Sequence, residues 1–175
     1  QDVLLESRLI LMPYMDATQD YWAFLSIQKV GLSGLMRGDG IPVAWANETR
    51  FYPESVVGKM DLFEILSRSD QMSTEQINQA LSTVGSSGEW TVENGLAFFE
   101  ELSQQPVTPT APELSTQTQA QSRSTSYDRV VRFFSQYEVE LNSPLTRASL
   151  AILIDFYLDP FYSNSVQIGY PNSKL

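Results

Sequence analysis

Apolar residues recur along this chain in short bursts with helical spacing, separated by stretches of glycine, proline and small polar residues. From about Tyr21 to Gly31, Trp22, Leu25, Ile27 and Val30 share a stripe, which predicts a helix ended by Gly31 just past its last turn. The next stretch, Arg37 to Pro53, reads as turn-rich: Gly38-Asp39-Gly40, then Pro42, then Ala46-Asn47-Glu48. A second helix is expected from about Val57 to Arg68, with Leu62, Ile65 and Leu66 inward. Ser73 and Gln76 have capping-box spacing and open a helix to about Val84, broken by Gly85-Ser86-Ser87-Gly88. Trp90-Thr91 leads into a helix carrying Leu96, Phe98, Phe99 and Leu102. Another pair follows, Tyr127 to about Tyr137 and Thr146 to about Leu158, around a turn at Asn142-Ser143-Pro144. Residues 1–15 suit a short helix or strand docking on the helices after it, and residues 159–175 form a turn-rich aromatic tail.

These elements make three helix–loop–helix units. Leu62, Leu96 and Leu150 fall at equivalent points, the first two about 34 residues apart. The third is displaced by residues 104–126, a run dominated by Gln, Thr, Ser and Pro that reads as a linker or inserted loop. Removing it restores a spacing near the first. The expected organisation is therefore 1–103 for two units, 104–126 for the linker and 127–175 for the third unit and tail, in one compact domain. The fold class is mainly α, with short strand-like loops.

Composition narrows the chemistry. The 175 residues contain neither His nor Cys. Ser-His-Asp and Cys-His nucleophilic sites, ordinary zinc sites and disulfides are thereby removed. A net charge of −10 opposes binding to nucleic acid, and no basic run interleaved with aromatics offsets it. The acidity reads mainly as a solubility device. No apolar run reaches bilayer length, which predicts a soluble chain, and the flanks of Leu9-Ile10-Leu11-Met12 do not suit a signal peptide. If the parent protein is exported, its signal is expected upstream of this sequence.

The second helix of each unit begins with a tetrapeptide: Gly58-Lys59-Met60-Asp61, Val92-Glu93-Asn94-Gly95 and Thr146-Arg147-Ala148-Ser149. The third resembles the Thr-Arg-Ala-Glu signature of S-layer-homology repeats; the first keeps a base and an acid in place, and the second has lost the pattern. Part of such a signature is helix initiation, because a Thr N-cap with an acid at the third helical position forms a capping box. The resemblance implies three repeats in a pseudo-threefold arrangement. It also implies grooves that grip an acidic cell-wall polysaccharide through Arg147 and, less well, Lys59.

A second resemblance covers residues 1–66. Ala23, Ile27-Gln28-Lys29-Val30-Gly31-Leu32-Ser33-Gly34-Leu35-Met36-Arg37-Gly38, Gly40 and the block Trp45-Ala46-Asn47-Glu48-Thr49-Arg50-Phe51-Tyr52-Pro53 are similar to the C-terminal region of secreted bacterial FAD-dependent oxidoreductases of the xanthan lyase type. In that family a Rossmann-type domain carries the flavin and a repeat domain trails it. Gly31, Gly34, Gly38 and Gly40 lack dinucleotide-binding spacing. The resemblance therefore implies no cofactor for this stretch, with FAD in the preceding domain of the parent. It further implies a periplasmic, cell-surface or secreted location, and a partner in the FAD-binding domain of the same polypeptide.

Candidate ligand-binding residues on this reading are Arg147, Thr146, Lys59, Asp61, Trp45 and Trp90. Trp45 and Trp90 sit beside turns and are expected to be partly exposed, whereas Trp22 could stack on a sugar ring but, at helical spacing with Leu25 and Ile27, reads first as core. Tyr157, Phe161, Tyr162 and Tyr170 form either a strap over the third unit or a docking surface. Asp16, Asp39, Glu48 and Asp61 have no calcium-loop spacing, and Asp16 equally suits a turn. Glu100-Glu101 and Glu138/Glu140 are neighbours of the kind that form a solvated face, so a carboxylate-dependent enzyme acting on polysaccharide is the least supported reading. The leading expectation is a non-catalytic accessory domain of an FAD-dependent oxidoreductase, ahead of an S-layer-type polysaccharide anchor.

Overall fold

A computed structural model describes residues 12–43, 46–69, 71–85, 88–104 and 116–159. The expectations for residues 1–11, Trp45, residues 105–115 and the aromatic tail from Pro160 onward lie outside them. Among the described residues the chain forms six helices and one hairpin: α1 (Phe24–Leu32), β1 (Asp39–Val43), β2 (Ala46–Arg50), α2 (Lys59–Leu66), α3 (Thr74–Val84), α4 (Val92–Gln104), α5 (Thr116–Gln136) and α6 (Arg147–Leu158). The mainly helical expectation holds.

Helix α6 is the hub. Its residues Ala148 to Ile154 are buried without a break, as expected of a helix covered on every side. Helices α1, α4 and α5 all pack on it, α3 packs on α4, and α2 on α3. The core runs from Ile27 and Val30 of α1 through Leu150, Leu153 and Ile154 to Leu96 and Phe99 of α4 and Ile77 of α3. The expected inward residues of α2, Leu62, Ile65 and Leu66, are all buried. Gly95 sets the approach of α4 to α6, since a Cβ there would lie 2.8 Å from Leu153 Cδ1.

Several expectations are corrected. Helix α1 does not stop at Gly31. It continues to Leu32, and the chain turns out at Gly34, whose φ of +78° is the left-handed conformation that glycine tolerates. Gly31 is small for a different reason: Tyr14 packs against it, and a Cβ would lie 2.5 Å from the Tyr14 hydroxyl. Leu25, assigned to the buried stripe, is 71% exposed. The turn-rich reading of 37–53 missed the antiparallel pairing of Asp39–Val43 with Ala46–Arg50, because Pro42 inside a strand disguises it. Helix α5 begins at Thr116, well before Tyr127. Its polar N-terminal half carries no apolar stripe from which a helix could be read.

Candidate functional site

The segments that lead into the tetrapeptides meet at one junction. Ahead of α2, α4 and α6 the chain runs extended, and the segment before α6 pairs with each of the other two. Val56 bridges Thr146, and Thr91 bridges Pro144, both antiparallel. The segment before α6 lies between the other two: Val57 N–H donates to the Leu145 carbonyl (2.7 Å), Arg147 N–H to Ser55 (2.9 Å), Leu145 N–H to Trp90 (2.7 Å) and Val92 N–H to Ser143 (3.0 Å). Backbone groups that the loops would otherwise leave exposed are satisfied between segments.

Each helix leaving this junction is capped locally. Thr146 Oγ1 accepts from Ser149 N–H (3.2 Å). Asp61 Oδ2 accepts from Gly58 N–H (2.9 Å). Thr91 Oγ1 accepts from Asn94 N–H (3.3 Å), while Asn94 Oδ1 accepts from Thr91 N–H (3.1 Å). The cap of α4 is therefore Thr91 with Asn94, one residue before the tetrapeptide assigned from sequence.

Arg147 is committed to the protein. Its Nε donates to the Phe51 carbonyl (2.8 Å) and its Nη2 to the Arg37 carbonyl (2.7 Å). Its guanidinium lies 4.7 Å from the centre of the Phe51 ring. Burial pushes its pKa down; Asp39 and Tyr14 oppose that shift, Arg68 adds to it and Asp61 opposes it. The carbonyls it holds belong to the segments flanking the hairpin, so Arg147 ties the first unit to the start of α6. Asp16 reinforces the same corner. Its two oxygens accept from the backbone N–H groups of Phe51 and Tyr52, each at 2.8 Å. Tyr52 is thereby held at φ +55°, which costs a non-glycine residue strain.

The other predicted positions disperse. Lys59 and Asp61 are exposed on the first turn of α2. The Trp90 backbone joins the junction, but its ring does not line a surface. It is 1% exposed and meets Phe98 edge-on at 6.0 Å. The turn beside it suggested exposure, whereas its pairing with Leu145 draws it inward. Among the described residues no three acidic side chains gather where a metal ion would sit. Glu100 accepts from the Tyr157 hydroxyl (2.5 Å), and Glu54 accepts from the Tyr21 hydroxyl.

Two surfaces were not anticipated. One is apolar: Met15, Tyr52, Val56 and Met60 are 59%, 38%, 49% and 78% exposed. Met15 N–H bonds to Thr49, Asp16 holds Tyr52, Val56 closely precedes α2 and Met60 lies in its first turn, so all four sit on segments adjoining the junction. The other is a cleft of about 620 Å³ between the start of α1 and the facing parts of α5 and α6. It is lined by aromatic rings and by Asp155, which accepts from Lys29 Nζ (2.6 Å) and Ser26 Oγ (2.7 Å). Trp22 stands in its wall rather than in the core proper, 5.9 Å from the Tyr137 ring. The i, i+4 pair Phe133 and Tyr137 on α5 signalled this wall, but its partners lie far along the chain.

Comparison with protein-family models, with curated proteins and with solved structures finds no match to this chain.

Proposed function

We propose that this chain is a non-catalytic accessory domain that packs on, and positions, a flavin-dependent oxidoreductase module of the same longer polypeptide. The observation that carries the proposal is the exposure of four large apolar side chains, Met15, Tyr52, Val56 and Met60, on segments that adjoin the braced junction. Side chains this apolar and this exposed, on hydrogen-bonded backbone, suit a docking face. The identity of the partner comes from the sequence resemblance. The three capped helix starts, and the pairing of the 143–147 segment with the segments before α2 and α4, support reading the chain as three S-layer-homology-like units.

A polysaccharide anchor at Arg147 is the weaker reading. An incoming sugar acid would compete with two backbone carbonyls and the Phe51 ring for the same guanidinium.

The test is association with the flavin module of the parent, expressed separately. Light scattering should show a one-to-one complex, and Met60→Asp should weaken it by about tenfold or more while leaving the circular dichroism spectrum of the free chain unchanged. A parent polypeptide without a flavin-binding module, or a complex indifferent to Met60→Asp, overturns the proposal.

A further inference from the structure

We infer that the cleft between α1, α5 and α6 is a binding site for a neutral oligosaccharide. The inference is separate from the docking face and from Arg147. The cleft combines ring faces with a fixed polar floor. Its volume, about 620 Å³, lies within the ~300–1,000 Å³ typical of small-molecule sites. Trp22, Phe133 and Tyr137 form one aromatic wall, with ring centres 6.3 Å apart for Trp22–Phe133, 5.9 Å for Trp22–Tyr137 and 4.9 Å for Phe133–Tyr137. Phe156 continues this wall, 5.7 Å from Phe133. The wall is open, since Tyr137 is 42% exposed.

A pyranose presents a face of C–H groups, electropositive at hydrogen, that suits the electron-rich face of such rings. Its hydroxyls both donate and accept, so they need fixed polar partners at the edge of the rings. Asp155 supplies them. Its carboxylate is 11% exposed and is oriented by Lys29 and Ser26. Each oxygen keeps a further lone pair beyond the bond it already accepts. The neighbouring Lys29 ammonium, 42% exposed, retains donors for the same ligand.

Charge selects among saccharides. The charged lining is Asp20, Asp155 and Lys29, with the Arg129 guanidinium 5.2 Å from the centre of the Phe156 ring, on a chain of net charge −10. A uronic acid polymer finds no excess of positive charge there and meets the overall negative charge of the chain, while a neutral chain meets no such penalty. A purely apolar ligand would leave the Asp155–Lys29 pair desolvated and unanswered.

The test uses cellohexaose and maltohexaose as neutral probes and an oligogalacturonate as the acidic one. Binding is read by the intrinsic fluorescence of Trp22, corrected against Trp22→Phe, and by calorimetry. One neutral probe should bind saturably in the millimolar range or tighter, ~−4 kcal/mol or better. Tyr137→Ala and Asp155→Asn should each weaken that binding about tenfold, and Arg147→Lys should leave it unchanged. Tyr137 is exposed enough for its truncation to leave the fold intact, which circular dichroism checks. Absence of binding by both neutral probes, binding of the acidic probe alone, or binding insensitive to Tyr137→Ala in a folded variant would each overturn the inference. None of these outcomes bears on association with the flavin module, so the two readings fail independently.

Discussion

Replacing Arg147 by alanine removes the side chain that fastens the segments flanking the β1–β2 hairpin to the start of α6. Two charge-assisted hydrogen bonds are lost, to Phe51 and Arg37. Such bonds contribute about 1.5–3 kcal/mol each, and the lower end applies here because the side chain is only half-buried. The contact with the Phe51 ring adds about 0.5–1 kcal/mol. Offsetting these, truncation releases roughly 1 kcal/mol of side-chain entropy, and water reaches part of the freed carbonyls. The net expectation is a loss of about 2–3 kcal/mol. For a domain of this size that is a fall in Tm of roughly 5–10 °C. Arg147→Lys keeps a cation near the ring but cannot reproduce the planar fork, so it should cost about half as much. Urea unfolding followed by circular dichroism gives both numbers from the shift in midpoint at constant slope. A stability of Arg147→Ala within about 0.5 kcal/mol of the parent, the range of ordinary surface substitutions, would show that Arg147 does not brace the junction. It would return the residue to the pool of free ligand-binding groups.

Other consequences arise from the same geometry. Gly31→Ala should destabilise the chain by about 1–3 kcal/mol, since its Cβ would strike the Tyr14 hydroxyl. Tyr14→Phe removes the closest of these contacts but leaves ring carbons 3.1 and 3.2 Å from that Cβ, so it should relieve part of the Gly31→Ala loss in a double-mutant cycle. The Tyr21 and Tyr157 hydroxyls have pKa values raised above 10.0, first by burial and then by the carboxylates of Glu54 and Glu100. The folded chain therefore keeps protons that the unfolded chain gives up above about pH 10, so their contribution is fully present below that pH and is lost as pH rises. Tm measured from about pH 8 to 11 should fall in the parent and fall less in Tyr21→Phe/Tyr157→Phe; equal slopes would refute the assignment.

The sequence was most legible where a helix is specified by its own residues. Ser73 with Gln76, and Thr146 ahead of a buried apolar run, define α3 and the start of α6 close to where the structure has them. Legibility failed where the deciding contact is remote. Trp90 looks like a turn residue until its carbonyl is paired with Leu145, and Gly31 looks like a stop signal until Tyr14 is laid against it. The cap at Thr91 was missed by one residue because Asn94 replaces the acid. The resemblance selected Arg147 as a ligand-binding group, and the carbonyls that occupy it lie on segments no local pattern connects to α6. The aromatic cleft escaped notice for the same reason, since it is assembled from both ends of the described chain.

Hydrogen exchange of the chain with and without the proposed flavin module, expressed separately, tests the central claim most directly. The account predicts added protection in the segment from Tyr52 to Met60 and around Met15, with exchange around Trp22 and Tyr137 unchanged. No added protection anywhere, or protection confined to the aromatic cleft, would contradict it.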